Sequence, residues 1–350
     1  MYKHLIRPLL FLLSPERIHH LTVRALRFFR YFPFARLIIG AMYKRSKPEL
    51  SRKLFGLHFK NPVGMAAGFD KNAECYDMLG ELGFGFVEVG TVTPKGQSGN
   101  PKPRCFRLKK DKALINRMGF NNNGKQSAVK NLQKYRRRGL IVGGNIGKNT
   151  VTLNEDAPKD YLAAFRALYD YVDYFAVNVS CPNVAKLTAL QSREGTATIL
   201  EGLKEFRKGQ NEYRPILLKI SPDLSESQVD DMISVAKEYR VDGIIATNTT
   251  TSREGLQASN LETIGNGGLS GAPIWKRSVE MVRTIHTKTE GKMPIIGVGG
   301  IMTPEQALEM LDAGASLIQV FTGLIYNGPS FPKKICKAIV KRAEANKQEA

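Results

Sequence analysis

Short apolar segments alternate with polar turns and helical segments from residue 61 to the end of the chain. Eight of the apolar segments have the length and composition of buried strands: 62–67, 86–90, 141–146, 175–179, 216–220, 243–247, 295–298 and 317–321. Helical segments fit between most of them, for example at 158–170, 225–239, 274–286 and 304–312. This alternation predicts an α/β fold, a closed (β/α)8 TIM barrel. An open, doubly wound sheet is the alternative.

Residues 1–47 precede the barrel and have the pattern of an amphipathic helical extension. Apolar residues recur at helical spacing, Ser14 and Pro15 are typical of a helix start, and Pro33 interrupts the pattern. The segment holds ten basic residues and one acid, Glu16, so that +9 of the chain's formal charge of +20 lies here. Basic, apolar helices too short to span a bilayer are typical of a membrane-associating extension on an anionic surface. An ordinary helix pair packed on the barrel is the alternative.

We therefore divide the chain into the extension, residues 1–47, and a catalytic barrel domain, residues 48–350. The positive charge is concentrated on the apolar extension and is not spread along a groove with stacking aromatic residues, which predicts no nucleic-acid partner. The four cysteines form no C-x-x-C pair and the five histidines are scattered, which predicts neither a disulfide framework nor a metal site.

Polar residues follow every predicted strand, and the carboxyl ends of the strands form the active site in TIM barrels. After the seventh and eighth strands, Gly299-Gly300 and Thr322-Gly323 are suited to binding a phosphate through backbone N–H groups. After the fourth strand, Cys181 lies among asparagines and is a candidate base or nucleophile. A buried cysteine without a chemical role is the alternative.

Six motifs resemble those of the dihydroorotate dehydrogenases: A-A-G-F-D-K at 66–71, I-N-R-M-G-F-N-N at 115–122, N-V-S-C-P-N at 178–183, T-N-T-T at 247–250, G-G-L-S-G at 267–271 and I-G-V-G-G-I at 296–301. With the extension, the chain is similar to the membrane-associated, quinone-linked class 2 of that family over essentially its whole length. The resemblance implies oxidation of (S)-dihydroorotate to orotate in pyrimidine (UMP) biosynthesis, with FMN as cofactor and a membrane quinone as acceptor. It also implies a monomer bound peripherally to the cytoplasmic side of the cell membrane.

The resemblance also assigns residues to ligands. FMN contacts are implied for Ala67, Gly68, Phe69, Asp70, Lys71, Thr91, Asn145, Asn178, Lys219, Thr247, Gly271, Gly300, Phe321 and Thr322. Substrate contacts are implied for Lys71, Asn116, Arg117, Met118, Gly119, Phe120, Asn178, Asn183, Asn248 and Thr249. Within these sets, Gly271, Gly300 and Thr322 would hold the phosphate and Lys219 would lie near the pyrimidine end of the flavin. His19 and Arg107 match positions that line the quinone tunnel.

By position, Cys181 is the catalytic base, and here the chain departs from its class. Class 2 enzymes usually have serine at this position and class 1 enzymes have cysteine, while many class 2 relatives have tyrosine where this chain has Phe321. A thiol of ordinary pKa, about 8.5, is partly ionised near neutral pH. We therefore expect activity at lower pH than in serine relatives, and inactivation by alkylating agents. The alternatives are a class 1-like enzyme with a soluble acceptor such as fumarate and, further away, an FMN barrel acting on RNA.

Overall fold

Eight parallel strands of the described residues form a closed barrel in which each strand pairs with its neighbours in the sequence. The computed structural model describes residues 2–136, 139–183 and 187–349. The barrel strands are β1 (Val63–Met65), β2 (Phe86–Val92), β3 (Ile141–Ile146), β4 (Tyr174–Asn178), β5 (Ile216–Ile220), β6 (Gly243–Ala246), β7 (Ile295–Val298) and β8 (Leu317–Val320). The prediction of a TIM barrel is confirmed, and the predicted strand ends differ from the observed ones by at most two residues.

The helices lie before, between and after the barrel strands. They are α1 (Arg7–Leu10), α2 (Pro15–Phe29), α3 (Pro33–Tyr43), α4 (Tyr76–Glu81), α5 (Lys125–Tyr135), α6 (Ala157–Leu168), α7 (Arg193–Lys208), α8 (Glu226–Glu238), α9 (Leu261–Ile264), α10 (Trp275–Lys288), α11 (Pro304–Asp312), α12 (Thr322–Asn327) and α13 (Phe331–Glu349). Local sequence explains several starts. Ser225 and Thr303 each form a capping box with a glutamine three residues later, which satisfies backbone N–H groups of the first turn of α8 and α11.

Apolar side chains close the amino-terminal end of the barrel. A hairpin of strands Arg52–Leu54 and Leu57–Phe59 places Phe59 beneath the barrel, where its ring packs edge-on against Phe86 at 5.3 Å. Tyr174, Leu217 and other residues of the barrel interior complete this fully buried layer. The opposite end of the barrel is therefore the open end.

Short accessory strands cover the carboxyl end of the barrel. Cys105–Leu108, Ala113–Asn116 and Gly268–Gly271 form a three-stranded antiparallel sheet, and Lys95–Gln97 pairs with Asn122–Gly124. Two of the motifs that carry the family resemblance, at 115–122 and 267–271, lie partly in these strands. The accessory sheet brings both motifs over the strand ends of the barrel.

The extension consists of a π-helical turn, Tyr2–Ile6, followed by α1, α2 and α3. As predicted, α2 begins at Pro15 with Ser14 as its N-cap, and Pro33 begins the next helix. Two ion pairs attach the extension to α4: in the buried pair, Arg30 Nη2 lies 2.5 Å from Asp77 Oδ1, and in the partly exposed pair, Arg36 Nη2 lies 2.8 Å from Glu81 Oε1. The predicted division into residues 1–47 and 48–350 stays a prediction.

The extension leaves many apolar side chains uncovered. All but three of the exposed large apolar side chains of the described residues lie between Leu5 and Met42, and Leu12 and Phe34 are nearly 80% exposed, at 79% and 78%. Throughout the described part of the chain, no helix combines the length and the apolar character needed to cross a bilayer.

Candidate active site

A cavity lies at the carboxyl end of the barrel and extends from the strand ends to α2. It contains about 1400 Å³ of empty space, counted out to its open mouth. Every barrel strand except β3 contributes to its wall, either from its last residues, as β5 does with Lys219, or from the loop that follows. The accessory sheet contributes Cys105, Leu114 and Asn116, and α2 contributes Pro15, Glu16 and His19. The extension and the barrel therefore enclose this space together.

Most of the predicted site residues line the cavity. Eleven of the residues that are predicted to bind the cofactor line the cavity: Ala67, Gly68, Lys71, Thr91, Asn178, Lys219, Thr247, Gly271, Gly300, Phe321 and Thr322. Nine of the residues that are predicted to bind the substrate also line it: Lys71, Asn116, Met118, Gly119, Phe120, Asn178, Asn183, Asn248 and Thr249. Cys181 and His19 are also in the wall.

Two predicted residues of the loop after β1 support the wall from behind. Asp70 is buried and accepts the backbone N–H groups of Glu74 and Cys75, at 2.6 and 2.7 Å, so its carboxylate closes the turn that leads into α4. Burial raises the pKa of Asp70 to about 6. The ring of Phe69 packs edge-on against the ring of His19 at 5.2 Å. In the structure both residues therefore hold the loop in place and do not face the cavity.

Asn145 and Arg117 also lie outside the described cavity wall. Asn145 is fully buried. Its side chain accepts a hydrogen bond from the hydroxyl of Thr91 at 2.6 Å and donates one to Glu88 at 2.8 Å, so it supports the cavity floor from beneath. The guanidinium of Arg117 turns outward to the ring of Phe106, 4.6 Å away. Its N–H groups donate to backbone carbonyl oxygens, that of residue 266 at 3.0 Å. The predicted ligand contacts of these two residues stay predictions.

Glycines allow the backbone to approach a ligand closely after β7. Gly299 and Gly300 have φ of +126° and +73°, a region that side chains rarely adopt. A Cβ atom on Gly300 would lie 2.5 Å from the Cα of Trp275, and one on Gly271 would lie 2.4 Å from the carbonyl oxygen of Lys112. Thr322 begins α12, and its hydroxyl lies 2.9 Å from that of Ser270, the neighbour of Gly271. These backbone segments form a cradle of the kind that binds a phosphate.

A buried carboxylate lies beneath the cavity floor. Glu88 is fully buried in β2 and accepts hydrogen bonds from Asn145 at 2.8 Å and Gln319 at 2.7 Å. The hydroxyl of Tyr174 donates to it at 3.3 Å, and the ammonium of Lys219 lies 3.4 Å away. Glu88 thus connects four other barrel strands and holds Lys219 at the cavity floor.

Glu88 and Gln319 were not predicted from the sequence as residues of the site. The sequence does indicate them, because Glu88 is the one charged residue in F-V-E-V-G and Gln319 the one amide in L-I-Q-V. A polar side chain in an otherwise apolar strand needs hydrogen-bond partners inside the barrel. Gln319 lines the cavity, and within the described residues its buried Oε1 atom has no hydrogen-bond partner. This oxygen can accept an N–H group of a bound molecule.

Four asparagines surround the part of the cavity next to Cys181. Asn248 donates to Asn178 Oδ1 at 3.1 Å, and Asn183 donates to Asn116 Oδ1 at 3.1 Å. Each amide side chain carries a donor and an acceptor, so the group can recognise a planar ligand with both kinds of polar edge. Lys71 adds a positive charge, and its ammonium donates to the carbonyl oxygen of Gly68 at 2.9 Å.

Burial shifts the pKa of three groups in the wall. It raises the pKa of Cys181 to about 11, although the backbone N–H of Asn183 and the charge of Lys219 act in the opposite direction. The expectation of a partly ionised thiol near neutral pH therefore has no support in the structure. Burial lowers the pKa of Lys71 to about 8, and burial together with the charge of Lys71 lowers the pKa of His19 to about 3. His19 is thus a neutral imidazole at physiological pH.

The two residues expected at the tunnel next to the extension are placed differently. His19 lines the cavity, while the guanidinium of Arg107 lies 3.9 Å from the centre of the Phe11 ring and donates to the carbonyl oxygens of Phe11 and Leu13. Arg107 therefore holds the loop between α1 and α2. The ring of Phe321 lies 6.0 Å from that of Phe69, at the junction between the barrel and the extension.

Comparisons with known proteins agree with this geometry. The family model for dihydroorotate dehydrogenase matches residues 49–342. A protein of Christiangramia forsetii named dihydroorotate dehydrogenase (quinone) is 51% identical over 98% of this chain and 99% of its own length. A protein of the same name from Thermosynechococcus vestitus is 43% identical over 99% of this chain and 98% of its own length. The crystal structure of DHODH from Eimeria tenella in complex with ferulenol has a TM-score of 0.87 and 35% identity, covering 95% of this chain and 92% of that one.

Proposed function

Since the chain belongs to the dihydroorotate dehydrogenase family, we propose that it oxidises (S)-dihydroorotate to orotate with FMN as cofactor and passes the electrons to a membrane quinone. The observation that carries the proposal is that Cys181, Lys71, the four asparagines and the glycine cradle line one cavity. The quinone in the names of the relatives favours this acceptor over fumarate, and so speaks against the class 1-like alternative.

The cavity has the groups that FMN requires. The segments at Gly271, Gly300 and Thr322 offer N–H and hydroxyl groups to a phosphate, and Lys219 offers a positive charge at the floor. The unpartnered Oε1 of Gln319 can accept an imide N–H. When bound, FMN supplies the hydride acceptor and returns the electrons one or two at a time. The protein's contribution is to place the substrate and to take up a proton.

The asparagines and Lys71 hold the substrate, a small planar anion, next to Cys181. Orotate forms when C5 of dihydroorotate loses a proton and C6 loses a hydride, and the electron pair of the C5–H bond becomes the C5=C6 double bond. Cys181 Sγ takes the C5 proton, for which the thiol must first be deprotonated. The buried wall keeps bulk water from competing for that proton.

The extension supplies the route for the second substrate. Its exposed apolar side chains would lie in the surface of the cell membrane on the cytoplasmic side, and its unpaired basic residues would contact anionic lipid. The cavity reaches α2 at Pro15, Glu16 and neutral His19, so an apolar quinone can enter between α2 and the barrel. We propose that the enzyme works as a monomer bound peripherally in this way.

Orotate formation by the purified protein tests the proposal. Turnover of dihydroorotate should occur with a short-chain quinone and not with fumarate, and the protein should purify with bound FMN. Flotation with vesicles that contain anionic lipid tests the membrane contact separately. Turnover with fumarate alone would refute the quinone assignment, and absence of turnover with either acceptor in flavin-loaded protein would refute the reaction.

A further inference from the structure

Glu16, the single acidic residue of the extension, contacts the barrel and not the membrane side. It lies in the first turn of α2, its side chain is 12% exposed, and it is part of the cavity wall. Its Oε1 atom accepts two hydrogen bonds from Arg104, from Nε at 3.2 Å and from Nη2 at 2.8 Å. Burial acts to raise the pKa of Glu16, but the hydrogen bond and charge of Arg104 lower it below its usual value, so the pair is ionic.

Arg104 connects α2 to a loop of the barrel. Its guanidinium is buried, and the edge that does not face Glu16 donates from Nη1 to the carbonyl oxygens of Ser98 at 2.6 Å and Asn100 at 2.9 Å. One planar group therefore holds the extension on one side and residues 98–100 on the other. A guanidinium is suited to this because its N–H groups have a fixed fork geometry.

The same loop holds the asparagines of the substrate pocket. Asn100 Nδ2 donates to the carbonyl oxygens of Arg117, at 3.0 Å, and Asn183, at 3.1 Å. Asn183 in turn donates to Asn116 Oδ1 at 3.1 Å. A continuous series of hydrogen bonds thus leads from Glu16 on the extension to two side chains beside Cys181. We refer to residues 98–104 with Asn116 and Asn183 as the pocket roof.

We propose that Glu16 is a positioning residue for the dihydroorotate pocket, acting through Arg104 and Asn100 on the pocket roof. This inference rests on the proposed function. Without the carboxylate, Nε and Nη2 of Arg104 lose their acceptor in a buried place, and the guanidinium turns toward water. The carbonyl oxygens of the loop then lose their donor, and the asparagines lose their fixed orientation. The extension therefore helps to build the site of the first substrate as well as the entrance for the second.

A second ion pair of the extension provides a matched control. Arg27 of α2 lies 3.2 Å from Glu74 of the barrel, and neither residue belongs to the described cavity wall. Glu74→Ala and Glu16→Ala are the same chemical change, and both remove the side-chain acceptor together with its charge. Glu74→Ala removes the ion pair with Arg27, and Glu16→Ala removes the ion pairs with Arg104 and, at 3.8 Å, with the exposed Lys102. Only Glu16→Ala breaks the connection to the pocket roof, so a difference between the two variants reports on that connection.

The experiment uses the full-length, FMN-loaded protein in detergent, without quinone. Glu16→Ala should raise the Kd for orotate about five- to tenfold and slow flavin reduction by dihydroorotate, while Glu74→Ala leaves both within about twofold. Of these two variants, only Glu16→Ala should accelerate the hydrogen exchange of residues 98–104. In the double variant Glu16→Ala/Arg104→Gln, the loss should equal that of Arg104→Gln, because both changes interrupt the same connection.

Three results would overturn the inference. The first is unchanged orotate binding and unchanged exchange in Glu16→Ala, the second is an effect of Glu16→Ala on the KM for quinone alone, and the third is additive losses in the double variant. If the unmodified protein fails to bind orotate, the proposed function fails, and the hydrogen exchange of residues 98–104 still decides whether Glu16 orders the roof.

Discussion

An increase in pH should accelerate the reduction of the bound flavin by dihydroorotate, because Cys181 must lose its own proton before it can accept one from C5. Burial raises the pKa of Cys181 to about 11. At pH 7 a thiol with that pKa is ionised in about one molecule in ten thousand. If the thiolate is the base, the rate at saturating dihydroorotate should therefore rise about tenfold per pH unit between pH 7 and 10. A thiol of ordinary pKa, about 8.5, would instead give a rate that levels off above that pH. The Kd for dihydroorotate should rise above pH 8, because burial lowers the pKa of Lys71 to about 8 and the side chain then loses its charge.

Anaerobic stopped-flow absorbance measures the rate without a contribution from the quinone. The Cys181→Ser variant is the matched comparison, because a serine hydroxyl has a higher pKa than a thiol and should react more slowly at every pH in this range. Alkylation by iodoacetamide should follow the same pH dependence and be slowed by orotate. Peptide mass spectrometry must separate Cys181 from Cys105, which also lines the cavity and whose pKa burial raises to about 11.

A rate independent of pH from 7 to 10 would refute the reasoning. So would full activity after stoichiometric alkylation of Cys181, since the base would then be another group. If the rate rises with pH in both the unmodified protein and Cys181→Ser, and both curves have the same apparent pKa, the titrating group is a residue elsewhere in the cavity.

Three further predictions follow from buried contacts. Asp77→Asn leaves a buried guanidinium without its counter-charge, so the free energy of unfolding in a denaturant titration should fall by about 3–5 kcal/mol, and an unchanged value would contradict the role of this ion pair. Glu88→Gln should raise the Kd for FMN at least about tenfold in fluorescence titrations, while Tyr174→Phe, which removes the longer of the two bonds to Glu88 Oε2, should change it less than about threefold. Gly300→Ala should abolish FMN binding in the same titration, whereas Gly202→Ala, with open space around it, should not. Equal FMN affinities within either pair would contradict the corresponding assignment.

The barrel could be predicted because its signal is periodic and local. Each strand is a short apolar run followed by polar residues, and the strand ends differ from prediction by at most two residues. The positions of Lys71 and most of the asparagines after predicted strands also predicted that they lie at one end of the barrel, since parallel strands end at the same edge. The fold and most of the cavity wall could therefore be predicted from the strand pattern and from the residues that follow each strand.

Burial and side-chain direction could not be predicted in the same way. Phe69 and Asp70 lie next to Lys71 in one motif, yet a turn in the loop directs them away from the cavity. The thiol of Cys181 is an ordinary group in sequence and becomes a weak acid only because the surrounding wall removes water. The role of Arg30, buried against Asp77, required knowledge of which element the extension contacts.

The ion pairs between the extension and the barrel change the expected balance of electrostatic and apolar contributions to membrane affinity. Arg27, Arg30, Arg36 and Lys44 all pair with carboxylates of the barrel, so four of the ten positive charges in residues 1–47 already have partners. Each basic residue near an anionic surface contributes roughly 1 kcal/mol, and in the proposed membrane-bound state the charges of these four are already balanced by carboxylates of the protein. The electrostatic share of membrane affinity is correspondingly smaller than the charge count suggests, and the apolar share is larger. Salt should therefore weaken attachment only in part, whereas detergent should extract the protein completely.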